Sequence, residues 1–400
     1  MKELLIITNN FPPERSGNAS RIHDLTKNLV KLGLDVTVIC PHPTIPIGNF
    51  SRKMERKTED KIDGIDVDRI WTWQPKDKDP SFLSRMGYYL LFPIHSLLYI
   101  LKYRDDYDVI LTTSPPIFVH IPGLFAKKIL DKKWVLDIRD LWIDASSELG
   151  FIDDDSFFKK VSEKFERVCL KFSDIISITT RKMEEKLESK YGLNLNDKFL
   201  FLPNGVDTEM FYSSNSEKQN LIIYTGLLGH AQDLESPILA MQKIKDMYDV
   251  RLKIVGDGDT REDLERLVRT KGLEDVVEFE GLVTRERIPE FLSRAKVGIA
   301  PIKGIESLDY AVPSKIFEYM ACELPFVSSG IGEVQRLTEE SKAGLLAQNN
   351  AESFADKLSS LLDDEARLED MGKKGRTFVE ENFDRKIIAM KLKSAIEGNT

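Results

Sequence analysis

Cysteine is scarce in this chain. Only Cys40, Cys169 and Cys322 occur in 400 residues, none in a C-x-x-C pair and none beside a histidine cluster, so neither a disulfide framework nor a zinc site is expected and a reducing compartment fits. Long apolar runs are missing as well. The longest, Tyr88 to Leu101, is 14 residues with Pro93 and His95 inside it, short of the ~20 that span a bilayer. Met1-Lys2-Glu3 leads into four apolar residues, Leu4 to Ile7, before Asn9-Asn10, which is too short for a signal-peptide core and reads as a first strand. Short-period repeats and low-complexity tracts are also lacking. What remains, 42% hydrophobic and 31% charged residues, is the composition of a globular protein, and the length favours two domains.

The net charge of −9 is unevenly spread. Residues 1–200 carry 31 Lys+Arg against 30 Asp+Glu, and residues 201–400 carry 26 against 36, so the halves stand at +1 and −10. Only the first half approaches an anionic membrane without strong repulsion, and it is assigned the membrane-facing role. Within it, Leu4–Ile7, Val36–Ile39, Val109–Leu111, Trp134–Ile138 and Ile175–Ile178 alternate with helical periodicity, which predicts a parallel sheet covered by helices. The first helix opens at Ser16-Gly17-Asn18, presents Ile22, Leu25, Leu29 and Leu32 as one stripe and stops at Gly33. The second half repeats the pattern: Ile222–Tyr224, Leu252–Val255, Val276–Phe279, Val297–Ile302 and Phe326–Val327 read as strands, with Asp263–Val268 and Ile288–Ala295 as helices. Pro203-Asn204-Gly205-Val206-Asp207 and the polar Ser213–Asn220 mark the connection. The expected division is 1–205, with a helix from 384–400 packing back on it, and 206–383.

Parallel sheets bind ligands beyond the carboxyl ends of their strands, so strand-end motifs are the ones to examine. Pro313-Ser314-Lys315-Ile316-Phe317-Glu318-Tyr319-Met320-Ala321 is the most informative. Helical spacing puts Ile316, Phe317, Met320 and Ala321 on one face and Lys315, Glu318 and Tyr319 on the polar one. A cation in a first helical turn opposes the macrodipole and calls for an anion, such as a phosphate; Glu318 suits ribose hydroxyls. An exposed Lys315–Glu318 ion pair is the competing reading. Tyr224-Thr225-Gly226-Leu227-Leu228-Gly229-His230 places glycines where a diphosphate would approach, or forms a plain tight turn. Val255-Gly256-Asp257-Gly258-Asp259 looks like an Asp-x-Asp metal motif but reads better as a turn, and no essential metal is expected. Gly281 and Val283 end another strand, where backbone groups suit a nucleotide base. In the first half, the Asn9–Asn18 loop offers amides to a sugar or phosphate, or merely connects. Asp137-Ile138-Arg139-Asp140-Leu141-Trp142 puts an arginine suited to phosphate and a tryptophan suited to a sugar ring at one strand end, with an Arg139–Asp137 or Arg139–Asp140 ion pair as the alternative. Tyr88–Leu101, flanked by Arg85, Lys102 and Arg104, suits a membrane interface, a dimer contact or a core helix.

Taken together these residues resemble family 4 of the retaining glycosyltransferases, whose fold is GT-B, two Rossmann-like α/β domains facing across a cleft. The resemblance runs through Phe11-Pro12-Pro13-Glu14 with Gly17, Pro203-Asn204-Gly205-Val206-Asp207, Val255-Gly256-Asp257-Gly258 and Glu318-Tyr319-Met320-Ala321 ahead of Pro325. Ser114-Pro115-Pro116, Arg139-Asp140-Leu141-Trp142, Gly229 to Gln232 and Pro313-Ser314-Lys315 resemble the subgroup that transfers N-acetylated deoxyamino sugars in surface-polysaccharide synthesis. Departures are present: Tyr310 stands where the family has the first of two glutamates, Arg139 where many members have a histidine, and His230 and Gln232 where an Arg/Lys pair often grips the diphosphate.

The resemblance implies transfer from a nucleotide diphosphate sugar, uridine-linked as the family-level expectation, to a polyprenyl-diphosphate-linked or glycan acceptor, at the cytoplasmic side of the membrane and without nucleic acid or a further cofactor. Lys315, Arg139 and Asp140 are the catalytic candidates. Gly17, Gly226, Gly229, His230, Gln232, Gly256, Gly281, Val283, Ser314, Lys315 and Glu318 are assigned to the donor, and Asn18 and Trp142 to the acceptor. A nucleotide-sugar epimerase on the same scaffold and a non-catalytic nucleotide-sugar-binding protein remain as alternatives.

Overall fold

The structure is a computed structural model that describes residues 3–398 except 15, 45, 46, 48, 77–80, 149–152, 154, 215 and 216. Met1, Lys2, Arg15 and the middle of the Ser213–Asn220 connection therefore lie outside the described residues. The chain forms two compact units, residues 1–204 with 385–400, and residues 205–384.

Unit 1 is built on β1 (Glu3–Thr8), β2 (Asp35–Pro41), β3 (Lys57–Ile62), β4 (Ile65–Ile70), β5 (Val109–Thr113), β6 (Lys133–Ile138), β7 (Ile175–Ile178) and β8 (Phe199–Phe201), in the order β3-β4-β2-β1-β5-β6-β7-β8. All neighbours are parallel except β3 and β4, a hairpin whose turn residues Asp63 and Gly64 both have positive φ, 50° and 85°. β1 shows why the sheet needs helices on both faces. Its alternate residues Leu4 and Ile6 enter one core with Ile22, Leu25 and Leu29, and Leu5 and Ile7 enter another with Phe92, Tyr99 and Ile110. The helix Gly17–Lys31 is capped by Ser16, whose Oγ accepts from Ala19 N at 3.1 Å, and ends before Gly33 at φ 85°. The helix Arg385–Glu397 returns to this unit and buries Ile388, Leu392 and Ile396 in the first of the two cores.

Unit 2 comprises β9 (Leu221–Thr225), β10 (Arg251–Val255), β11 (Val277–Gly281), β12 (Val297–Ala300), β13 (Phe326–Ser329) and β14 (Gly344–Ala347), all parallel, in the order β11-β10-β9-β12-β13-β14. This is the doubly wound arrangement, with its order reversing between β9 and β12. The hairpin β3–β4 and the short strands β8 and β14 go beyond the strands read from sequence. Among the described residues no helix is long and apolar enough to cross a membrane. The Tyr88–Leu101 stretch lies within the helix Phe82–Lys102, which buries Tyr88, Phe92 and Ile100 and exposes Leu83, Ile94, Leu98 and Leu101.

Candidate functional site

In unit 2 the site grows from the reversal point of the sheet. β9 and β12 pair only through Val297↔Ile222 and Gly298↔Ile223 and then part. Tyr319, in the helix Lys315–Ala321, fills the gap: its hydroxyl accepts from Thr225 N at 3.1 Å and donates to Ile299 O at 3.1 Å. Room for the ring exists because β12 carries Gly298, where an added Cβ would stand 2.6 Å from Tyr319 Cδ2. Tyr319 is thus fully buried rather than part of a polar face, a correction to the helical-wheel reading.

Lys315 is buried too, at 7% exposure. Its Nζ donates to the Tyr224 hydroxyl at 2.9 Å and to Gln232 Oε1 at 3.3 Å, and lies 4.0 Å from the centre of the Tyr224 ring. Tyr224 passes the chain on by donating to Leu227 O at 2.6 Å. Burial lowers the Lys315 pKa to about 7, opposed by the Glu318 charge. Glu318 itself is half-buried one turn on, and Ser314 is exposed. Ile316 N already bonds to Pro313 O and Phe317 N to Ser314 O, each at 3.1 Å, so these first-turn amides are already committed.

The neighbouring strand-end loops are tied to one another. Gly226 N bonds to Val255 O, Leu228 N to Asp257 O and Gly256 N to Gly281 O, each at 2.9 Å. Gly256, at φ 146°, is indispensable to this seam, since a Cβ there would stand 1.9 Å from Gly226 O. Gly226 at φ 128° leaves space for the Lys315 side chain, whose Cε would be 3.2 Å from an added Cβ. Gln232 joins the cluster through Lys315, while Gly229 is half-buried and His230 exposed. Gly281 and Val283 belong to edge strand β11 and its exit, two strands or roughly 10 Å from β9, so they adjoin the loop seam and not the lysine. Asp257 caps its own turn, with Oδ1 accepting from Gly258 N at 2.9 Å, and among the described residues no group of three or more His, Cys, Asp or Glu is placed to hold a metal ion.

In unit 1 the strand ends carry a second cluster. Asp137, at the end of β6, takes both guanidinium nitrogens of Arg21 (2.8 and 3.1 Å), Thr113 Oγ1 (2.6 Å) and Ser177 Oγ (2.6 Å). Burial alone would raise its pKa, but Arg21 and the hydroxyls hold it at about 2. The alternative ion pair of Arg139 with Asp137 gives way to one between Arg21 and Asp137, because Arg21 projects from the first helix onto the buried strand end. Arg139 instead donates to Asn18 Oδ1 at 2.9 Å and Asn204 Oδ1 at 2.5 Å, and its Nε is buried without a partner. Burial and the Arg21 charge pull its pKa down to about 9, against Asp137 and Asp140, so it stays a cation at neutral pH. Asp140 is exposed, Trp142 is half-buried edge-on to Tyr89 at 6.2 Å, and Gly17 is exposed with open space where a Cβ would stand. Arg139, Asn18 and Asn204 are brought together; Gly17 and Trp142 share the same sheet edge without touching that trio in any contact above.

Sequence reasoning did not single out Tyr224, Gly298 or Arg21. A tyrosine at the next-to-last place of an otherwise aliphatic buried strand is the signal that marks Tyr224.

Comparison with known proteins agrees with this geometry. Residues 206–378 match the family described as glycosyl transferases group 1, and residues 15–210 match glycosyltransferase family 4. The chain is 25% identical over 340 residues to the putative colanic acid biosynthesis glycosyl transferase WcaI of Escherichia coli K12, covering 80% of this chain and 81% of that protein. Among solved structures it is similar to sucrose-phosphate synthase from Thermosynechococcus elongatus, with TM-score 0.74, 17% identity and coverage of 100% and 99% of the two chains. It is also similar to HepE from Anabaena in complex with UDP and glucose, with TM-score 0.74, 15% identity and coverage of 99% and 100%.

Proposed function

We propose, from the premise that this chain belongs to the GT-B glycosyltransferases with a family 4 first half and a group 1 second half, that it transfers a sugar with retention at the anomeric carbon from a nucleoside diphosphate to an acceptor hydroxyl. The observation that carries this reading is Lys315, a buried cation held over Tyr224 where glycine loops converge at the reversal point of the unit 2 sheet. It rests on neutral acceptors, and the group that completes it is an anion such as a diphosphate.

The donor in this reading is a uridine diphosphate sugar, as in the HepE complex, with an N-acetylated hexosamine or deoxyamino sugar as the transferred group. The acceptor is lipid-linked or a glycan, in surface-polysaccharide synthesis, consistent with the name of the WcaI relative. In the chemical step a bond forms between the acceptor oxygen and the anomeric carbon while the bond from that carbon to the diphosphate oxygen breaks. The acceptor proton passes to the departing phosphate or to Asp140. Lys315 and the amides of Gly229, His230 and Ser314 stabilise the leaving charge, Glu318 takes the ribose, and no metal ion is part of the mechanism. Arg139 holds the unit 1 strand end in register through Asn18 and Asn204 and adds positive charge there. The exposed leucines of the helix Phe82–Lys102 are the surface assigned to lipid contact.

Lys315→Ala removes one preorganised donor, so turnover of the nucleotide sugar should fall roughly 10²–10³-fold with an unchanged circular-dichroism spectrum. Wild-type turnover in that variant refutes the role of Lys315. Incubation with donor alone separates transfer from epimerisation, which needs no acceptor.

A further inference from the structure

Within unit 2 the helix Lys315–Ala321 is backed by a second helix, Glu365–Asn382, and the two approach at close range. An added Cβ at Gly372 would stand 2.4 Å from Glu323 O, and one at Gly375 would stand 3.1 Å from Met320 Cγ and 2.8 Å from Ala343 Cβ. Glycine weakens a helix interior, so two of them in this stretch are explained by the approach they permit.

The residue after Gly375 is Arg376, and its role follows from an accounting of carbonyls. A helix leaves its last four C=O groups without a donor of its own, and in seven residues these are more than half. Cys322 N bonds to Glu318 O at 3.1 Å and to Tyr319 O at 3.0 Å, Glu323 N to Met320 O at 3.1 Å, and Leu324 N to Tyr319 O at 2.9 Å. This closure holds Glu323 in the left-handed region at φ 52°, and it is the turn seated on Gly372. Ala321 O is completed by a side chain, Arg376 Nη1, at 2.6 Å. The same nitrogen donates to Phe211 O at 2.8 Å, Nη2 donates to Thr208 O at 3.2 Å, and Nε donates to Glu380 Oε1 at 2.7 Å. One largely buried guanidinium thus joins the end of the Lys315 helix to the segment Thr208–Phe211 and to its own helix. A rigid fork of donors can span these groups, whereas an ammonium cannot, and a cation also suits the negative end of a helix.

Helix carbonyls point along the axis, so the bond to Ala321 O lies in the direction in which the helix would slide. Seven residues rise only about 10 Å, and what is fixed at Ala321 is transmitted to Lys315. The Tyr319 hydroxyl, held by Thr225 N and Ile299 O, resists sideways movement of the same helix.

We propose that Arg376 is a positioning residue for the transfer reaction: it fixes the helix Lys315–Ala321 along its axis and thereby sets where the Lys315 ammonium meets the diphosphate. The proposal rests on the reading of Lys315 as the partner of that diphosphate.

The test uses the full-length protein and UDP, with binding measured by calorimetry from pH 6 to 9. Arg376→Lys keeps the charge but loses the fork. Leu358→Ala opens a cavity in the unit 2 core on a different helix, Ala351–Leu362, and serves as the control for lost stability. Arg376→Lys should bind UDP about tenfold or more weakly at pH 7, the scale of one misplaced hydrogen bond to a charged group. The pH above which its affinity declines should also move up from about 7, because a displaced Lys315 is less buried and holds its proton longer. Leu358→Ala should lower the melting temperature yet retain wild-type affinity and the break near pH 7. An unmoved break in Arg376→Lys, or the same upward movement in Leu358→Ala, overturns the proposal and leaves Arg376 as a residue of the fold alone. Wild-type UDP binding in Lys315→Ala would instead sink the Lys315 reading, and this proposal with it.

Discussion

A lysine whose ammonium rests on a neutral phenol and a neutral amide, as Lys315 does on Tyr224 and Gln232, is poised to take up a proton when an anion arrives. With its pKa at about 7 in the free protein, Lys315 is already charged in mildly acidic solution and largely neutral in mildly alkaline solution. A bound diphosphate favours the charged form and raises that pKa. The Lys315 contribution to UDP affinity should therefore be constant below about pH 7 and fall by up to about tenfold per pH unit above it, because binding must then also recruit a proton. Calorimetry in buffers of different ionisation heat would register that uptake, and Lys315→Arg, charged throughout, should remove both the slope and the uptake. The same depressed pKa acts on folding with the opposite sign. Above pH 7 the unfolded chain retains a proton the folded one has released, so the ligand-free protein gains stability as pH rises toward the unfolded value of 10.5. The position of Lys315 in a first helical turn was legible from sequence, since a cation there is anomalous; its burial was not, because Tyr224 and Gln232 are 91 and 83 residues away along the chain.

Among the elements, the helix Lys315–Ala321 is short but holds two strands apart at a fixed distance, and the hydroxyl of Tyr319 is the strut. Tyr319→Phe keeps the ring on Gly298 but leaves buried backbone groups of β9 and β12 without that hydroxyl. A loss of about 1–3 kcal/mol in urea unfolding is expected, with a weaker UDP complex because Thr225 precedes the Gly226 loop. An unchanged midpoint would show that the hydroxyl contributes no net stability. This strut also explains where pattern reading stopped. Helical spacing correctly groups Lys315, Glu318 and Tyr319 on one side, but a wheel cannot tell solvent from the mouth of a sheet, and here that side faces the parting strands. Short unbroken apolar runs such as Leu4–Ile7 and Ile222–Tyr224 announced their strands because both faces of a parallel sheet are buried. The strand β3, Lys-Thr-Glu-Asp-Lys-Ile, carries four charged residues at a sheet edge and has no hydrophobic signature, while β8 (Phe-Leu-Phe) and β14 (Gly-Leu-Leu-Ala) are apolar but too short to show a period.

Across the whole molecule, the chain closes unit 1 with residues that follow unit 2 in sequence. Arg385 pairs with buried Asp24, Lys133 Nζ donates to Ala395 O and Ile396 O at 2.7 and 2.9 Å, and Ile388, Leu392 and Ile396 enter the core around β1. Fully burying three such side chains contributes about 5–9 kcal/mol, a large part of the roughly 5–15 kcal/mol that holds a typical domain folded. Their apolar pattern pointed to a packed helix in advance and the expected division set it against the first half, whereas the residues it covers could not be read, since that surface is assembled from the helix Gly17–Lys31 and strands far upstream. A chain ending at Asp384 should therefore lose unit 1 while retaining unit 2, whose sheet and core lie wholly within residues 205–384. Hydrogen exchange resolves the two: amides of β1, β2, β5 and β6 should exchange without protection in the shortened chain, and those of β9, β10, β12 and β13 should remain slow. Equal protection in both sets would mean that the returning helix is an accessory to unit 1, and that the core around β1 closes on the helix Gly17–Lys31 alone.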